Sequence, residues 1–133
     1  MTKNLLAAVA VIFVLGNLCR FGLPWWTIAP FAAVTIFLLP QRSGLTAFFS
    51  GLIAGALVWG LAAFLADNAN EGVLSSRVGE LFQGAGRGGM LGVTTLIGAL
   101  LGALGALTGQ MAVDMTKTPK KNYYGKRKRN GRL

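Results

Sequence analysis

The sequence predicts an all-α membrane protein, a bundle of four transmembrane helices with a short amphipathic helix between the third and the fourth. Three observations support this prediction. The chain of 133 residues is 53% hydrophobic and only 13% charged, which is more apolar than soluble domains are. Its apolar residues fall into four long segments separated by polar, glycine-containing or proline-containing breaks. Glycine recurs at helical spacing in the last segment, a pattern typical of helices that pack closely in a bilayer.

The first predicted helix covers about residues 5–20. Its basic start and apolar centre imitate a signal peptide, but no small-residue cleavage pattern follows, so we expect it to remain as a transmembrane helix. The lone cysteine, Cys19, lies near its end and has no partner for a disulfide within the chain. A buried structural thiol is therefore the expectation for this residue.

The second predicted helix covers about residues 24–40. Pro24 suits a first helical turn, where the missing N–H has no helical acceptor. Trp25 and Trp26 follow directly, and we predict that these two indoles are interface anchors at the headgroup boundary. Pro30 lies inside the segment and predicts a kink, because it removes one backbone hydrogen bond.

The third predicted helix covers about residues 45–66, a length of roughly 33 Å that suits the hydrocarbon core. The fourth covers about residues 88–113. Each carries glycines on one face, which would let a neighbouring backbone approach closely. We therefore predict that the third and fourth helices pack on each other, and a homodimer or a larger complex is the alternative use of the same faces. The predicted helix-packing positions are Gly51, Gly55, Gly98, Gly102, Gly105 and Gly109.

The connection between the third and fourth helices predicts a surface amphipathic helix at about residues 73–83. Its apolar residues recur at i, i+4, i+7 and i+8, with polar residues on the other side, as in a helix lying on a membrane or across the mouth of a bundle. Arg77 and Glu80 are three residues apart and predict an ion pair.

The sequence changes character after residue 113. Residues 1–113 form the predicted transmembrane domain, and residues 114–133 form a basic tail that we expect to be disordered in isolation. Its cations are predicted to contact anionic lipids at the cytoplasmic face; an acidic protein, RNA or the ribosome are the alternatives, with nucleic acid the less favoured. The predicted contact residues are Lys117, Lys120, Lys121, Lys126, Arg127, Lys128, Arg129 and Arg132.

Topology follows from the distribution of basic residues. Four helices place both termini on one side, together with Lys3, Arg42 and the tail, whereas Arg20, Arg77 and Arg87 lie on the other side. The positive-inside rule then predicts cytoplasmic termini in a bacterial inner membrane.

Reactive groups are scarce. The chain has no histidine, one cysteine and four acidic residues, each outside an apolar segment or at its end. This inventory predicts no catalytic residue, no metal site and no cofactor, and therefore no enzyme. The leading hypothesis is a non-catalytic accessory or scaffold component of a membrane. The alternatives are a small oligomeric channel or carrier that uses Asn17, Thr27 and the Pro30 kink, and a membrane tether that recruits a partner through the basic tail.

Three segments carry a resemblance to known proteins: Leu23-Pro24-Trp25-Trp26, the sequence GVLSSRVGELF at 72–82, and the glycine-rich LIGALLGALGALTG at 96–109. With these segments, residues 1 to about 112 resemble a group of small four-helix bacterial inner-membrane proteins that have no known activity. The resemblance implies a multi-pass location in the inner membrane. It assigns no functional residue and does not extend to the basic tail.

Overall fold

The computed structural model describes residues 2–18 and 21–117, and the regular structure in this part of the chain is helical. The all-α class is therefore confirmed. The five α-helices, with a 3-10 turn at Trp25–Thr27 before the second, are α1 Thr2–Leu18, α2 Ile28–Leu38, α3 Gly44–Ala69, α4 Val73–Leu81 and α5 Gly86–Thr116. Among the described residues, α3 and α5 are long and apolar enough to cross a membrane.

The second predicted helix is shorter than expected. Instead of one helix over 24–40 with a kink, the chain forms the 3-10 turn and then α2, which has 11 residues and a length of about 16 Å. Pro30 is the third residue of α2, so it lies in the first turn. The amides of a first turn have no acceptor within the helix, and the proline is accommodated there without a mid-helix kink.

Local signals set the ends of α3. Ser43 caps the N-terminus, and its hydroxyl accepts a hydrogen bond from the Thr46 amide at 3.3 Å. The helix continues three residues past the predicted end, to Ala69. It is ended by Glu71 and Gly72, which both have positive φ, and the Gly72 amide donates back to the Asp67 carbonyl at 2.9 Å.

The antiparallel pair of α3 and α5 is the centre of the molecule. α2 packs mainly on α5, α1 packs on α3 and α2, and α4 packs mainly on α5 at the end where α3 finishes. In the described part of the hairpin of α1 and α2, the Trp25 ring contacts Trp59, and Leu23 lines a cavity with Ala62 and Ala63. From Ala63, α3 continues for six more residues, or about 9 Å, to Ala69, and we call this difference the step beside the α3–α5 pair.

Small side chains form the interior and large ones form the surface. A cluster of fully buried residues joins α1, α2, α3 and α5, and most of its side chains are alanines. In contrast, Leu57 of α3 and Leu104 of α5 are 50% and 57% exposed. This arrangement is the reverse of the one that water imposes on a globular protein. The members of the cluster are Ala8, Ile12, Ala32, Ile36, Ala47, Ala54 and Ala106.

Candidate functional site

The α3–α5 seam brings two backbones into direct contact. A Cβ atom added at Gly51 would collide with the Gly102 carbonyl oxygen and lie 2.7 Å from its carbonyl carbon. A Cβ atom at Gly55 would collide with the Gly98 carbonyl in the same way, with its carbon at 2.9 Å. Real side chains do not tolerate such separations from backbone atoms, so Gly51 and Gly55 require glycine; a Cβ atom at Gly102 would likewise collide with the Gly51 carbonyl oxygen, and one at Gly98 with the Trp59 side chain. The two helices in contact, α3 and α5, are those predicted from the sequence as the third and fourth helices.

Gly105 and Gly109 do not share that partner. Cβ atoms added there would lie 2.8 Å from the Ala29 Cα and 2.9 Å from the Ala33 Cα, both in α2. The expectation that the whole α5 stripe faces Gly51 and Gly55 is therefore wrong for its second half. Towards the start of α3, the helix contacts α5 through residues outside the glycine stripe: the Leu107 side chain lies 3.3 Å from a Cβ placed at Gly44. Gly105 and Gly109 therefore face α2 instead.

The two predicted anchors lie at the tip of the α1–α2 hairpin. Trp25 and Trp26 form most of the 3-10 turn and are 64% and 51% exposed. The Trp25 ring meets Trp59 edge to face, with ring centroids 6.2 Å apart, and Trp59 in turn covers Gly98. Because of the step described above, the two indoles lie well below the end of α3.

A buried carboxylate holds α4 against the central pair. Asp67, 4% exposed, lies in the last turn of α3 and accepts hydrogen bonds from the Ser75 hydroxyl of α4 and from Arg87 Nε of α5. Arg87 Nη2 also donates to Asn68 Oδ1 at 2.8 Å. We call these four residues the Asp67 cluster. Sequence reasoning missed it, because its members are 8 and 20 residues from Asp67 and no local pattern links them.

The predicted Arg77–Glu80 pair does not form. Between residues 21 and 117, the ion pairs of the structure join Asp67 to Arg87 and Asp114 to Lys117. A solvent-exposed pair along one helix gains little, whereas Arg87 satisfies a carboxylate that α4 buries.

A second polar network closes the opposite end of the bundle. Gln110, 1% exposed, accepts a hydrogen bond from the Gln41 amide at 2.9 Å and donates to Asp114 Oδ1 at 3.2 Å. Lys117 Nζ donates to the same oxygen at 2.7 Å. We call these residues the Gln110 network; it joins the α2–α3 connection to the C-terminal end of α5. Lys117 is the one predicted tail contact in the described part of the chain, since the predicted contacts from Lys120 to Arg132 lie outside it.

The two polar side chains proposed for a conduction path form hydrogen bonds with nearby backbone carbonyls. The Asn17 side chain donates to the Phe13 carbonyl at 2.8 Å, and the Thr27 hydroxyl donates to the Pro24 carbonyl at 2.7 Å. Cys19 and Arg20 lie outside the described residues. In the described part of the chain, no three His, Cys, Asp or Glu side chains come together as metal ligands.

The step beside the α3–α5 pair contains two adjoining cavities of about 280 Å³ each. The upper cavity lies between α3, α4 and α5 and has Asp67 and Ser75 at its polar end. The lower cavity lies at the hairpin tip, beside Trp25 and Trp59. Ala63 and Thr94 line both, so the two cavities are neighbours, and together we call them the α3–α5 groove.

Comparisons with family models, with curated proteins and with solved structures find no match to this chain. The resemblance to small four-helix inner-membrane proteins therefore stays a prediction, and the site must be interpreted from its own geometry.

Proposed function

We propose that the chain is a multi-pass protein of the bacterial inner membrane with both termini in the cytoplasm, and that it serves as a non-catalytic accessory or scaffold component. The single observation that carries the membrane location is the distribution of side chains by size. α3 buries Ala47, Ser50 and Ala54, whereas Phe49 and Phe64 are each 52% exposed. In water, so large an exposed apolar surface promotes association. In lipid, large apolar side chains gain nothing from burial, and helices associate through small residues instead.

The positions of the polar groups support the same location. The Asp67 cluster and the Gln110 network lie at opposite ends of the α3–α5 pair. From Gly44 to Asp67, α3 rises through 23 residues, or about 35 Å, close to the thickness of a hydrocarbon core with its boundaries. Between these ends, the buried Ser50 hydroxyl donates to the Ala47 carbonyl of its own helix at 2.7 Å. The middle of the pair therefore needs no water.

In this proposal all four apolar helices lie in one bundle. α3 and α5 cross the bilayer completely. The hairpin of α1 and α2 enters from the cytoplasmic side and crosses most of it, since α1 has 17 residues and a length of about 26 Å. Trp25 and Trp26 lie in the 3-10 turn before α2, and their role as interface anchors stays a prediction.

Membrane location and orientation can be tested together by cysteine labelling. In a Cys19→Ser background, Glu71→Cys and Asn130→Cys place single thiols beside α4 and in the basic tail. We expect a membrane-impermeant maleimide to label Glu71→Cys on intact spheroplasts and Asn130→Cys only after lysis. The reverse labelling would overturn the orientation, and recovery of the protein in the soluble fraction would overturn the membrane location.

The accessory role is supported by the close packing of the helices and by the scarcity of reactive groups in the sequence. Each of the six predicted packing glycines already packs against another part of the same chain: Gly51, Gly55, Gly98, Gly102, Gly105 and Gly109. A partner protein would therefore meet the exposed leucine and phenylalanine faces or the tail. Native purification in mild detergent with mass measurement tests this role. We expect a homo-oligomer or a stoichiometric complex that is recovered again when the partner is tagged instead. A protein that is always monomeric would contradict it.

The two alternative functions have less support. The channel or carrier loses its proposed path, because α2 has no mid-helix kink and both Asn17 and Thr27 donate to nearby backbone carbonyls. Solute flux into liposomes that contain the purified protein would support the channel or carrier function. Recruitment of RNA, ribosomes or an acidic protein depends on the tail beyond residue 117, which the structure does not describe, and stays a prediction.

A further inference from the structure

We propose that the α3–α5 groove binds one membrane phospholipid, with an acyl chain lying along the groove and the phosphate beside Arg87. This inference rests on the proposed membrane location. It assigns a specific ligand to a cavity that the packing of the helices does not use.

The length of the groove matches an acyl chain. Its α3 wall rises from Trp59 to Asn70 through 11 residues, or about 16 Å, which is about half of the 30 Å hydrocarbon core and thus one leaflet. Part of this wall is a stripe at helical spacing, formed by Trp59, Ala63 and Ala66 of α3 and by Asn70, which follows the helix.

The chemistry along the groove changes from apolar to polar in the direction that a lipid requires. In the middle, Ala63 is small, and the Thr94 hydroxyl is satisfied by the Met90 carbonyl at 2.9 Å, so no polar ligand is needed there. Leu74 and Val78 of α4 contribute an apolar lip. Asp67 and Ser75, which lie at the upper end, already bond to each other.

Arg87 lies beside that end: it lines neither cavity, but its Nε–H donates to Asp67, which lines the upper one. Its side chain is 46% exposed, and it uses one N–H for Asp67 and one for Asn68. A guanidinium carries five N–H donors in a planar fork, so three remain for a phosphate. The lining of the upper cavity includes no residue of α1 or α2, so in the proposed membrane location this part of the groove opens sideways to the bilayer.

The test uses the full-length protein in mild detergent and native mass spectrometry with added phosphatidylglycerol. Ala63→Phe fills the groove where its two cavities meet. Ala112→Phe makes the same change at an exposed position near the other end of α5 and serves as the matched control. We expect the wild type and Ala112→Phe to retain one phospholipid per chain, and Ala63→Phe to retain at least fivefold less. Diacylglycerol with the same chains, which lacks the phosphate, should also be retained at least fivefold less.

Retention by Ala63→Phe equal to that of the wild type would overturn the site, and equal retention of diacylglycerol would overturn the role of Arg87. Ala66→Phe, at a more exposed position of the same wall, repeats the test, and far-UV circular dichroism checks that each variant is folded. A membrane-extracted protein that retains no lipid refutes this inference alone. A protein that never enters the membrane fraction refutes the proposed function as well.

Discussion

The close contact between α3 and α5 leads to a sharp prediction for Gly51→Ala. The added methyl group would lie 2.5 Å from the Ala106 Cβ and 2.7 Å from the Gly102 carbonyl carbon. Ordinary van der Waals contact begins at 3.4 Å, so α5 must recede from α3 by at least about 0.9 Å at this point to relieve the Ala106 contact. The obstacle includes backbone, which cannot rotate away as a side chain can.

The expected destabilisation follows from two opposing effects. Overpacking a tight interface costs about 1–3 kcal/mol. Replacing a helical glycine by alanine returns about 1 kcal/mol of helix propensity. The net change for Gly51→Ala is therefore a loss of up to about 2 kcal/mol.

Gly92→Ala is the matched control. Gly92 lies within α5, and a Cβ atom added there meets nothing within 4 Å, so this variant should show only the propensity gain of about 1 kcal/mol. Equilibrium unfolding of both purified variants in mixed micelles, followed by far-UV circular dichroism, gives the two free energies. We expect Gly51→Ala to be less stable than Gly92→Ala by about 1–3 kcal/mol. Equal shifts of the same sign would show that the backbones do not touch as described.

Three further predictions concern the polar ends and the tail. Arg87→Gln removes the charge that holds Asp67 and should speed hydrogen exchange throughout α4, whereas Arg77→Gln should leave it unchanged; equal rates in both variants would contradict the Asp67 cluster. Gln110→Leu leaves the buried Gln41 amide without its acceptor and should cost about 1–3 kcal/mol in the same unfolding assay, and exposed Gln83→Leu should not. In a peptide of residues 114–133, Lys/Arg→Gln at the eight tail cations from Lys117 to Arg132 should abolish binding to anionic vesicles, at about 1 kcal/mol per cation, and unchanged sedimentation of the peptide with vesicles would exclude the lipid contact.

Helix positions could be predicted from the sequence because they depend on local information. The apolar segments and the polar, glycine-containing or proline-containing breaks between them place the helices to within a few residues of their observed bounds. Pro30 was misplaced for a specific reason. A proline disrupts a helix or begins one according to where the helix starts, and the 3-10 turn that delays the start of α2 has no clear sequence signature.

The polar site residues could not be predicted as partners. Gln41 and Gln110 are 69 residues apart, and Asp67 and Arg87 are 20 apart, so their hydrogen bonds form only after the helices have assembled. The sequence offered a local alternative in Arg77 and Glu80. Tertiary structure favoured the distant pair, because a buried carboxylate requires a partner and an exposed one does not.

The sequence by itself determined that this protein is helical and that α3 and α5 carry faces without side chains, because composition and the 3.6-residue period are properties of the chain alone. Only the tertiary structure decided what fills those faces. Gly51 and Gly55 meet the first half of the α5 stripe, and α2 takes Gly105 and Gly109. A glycine stripe permits close approach by any helix, and the positions of α3 and α2 along α5 decide which helix contacts each half of the stripe.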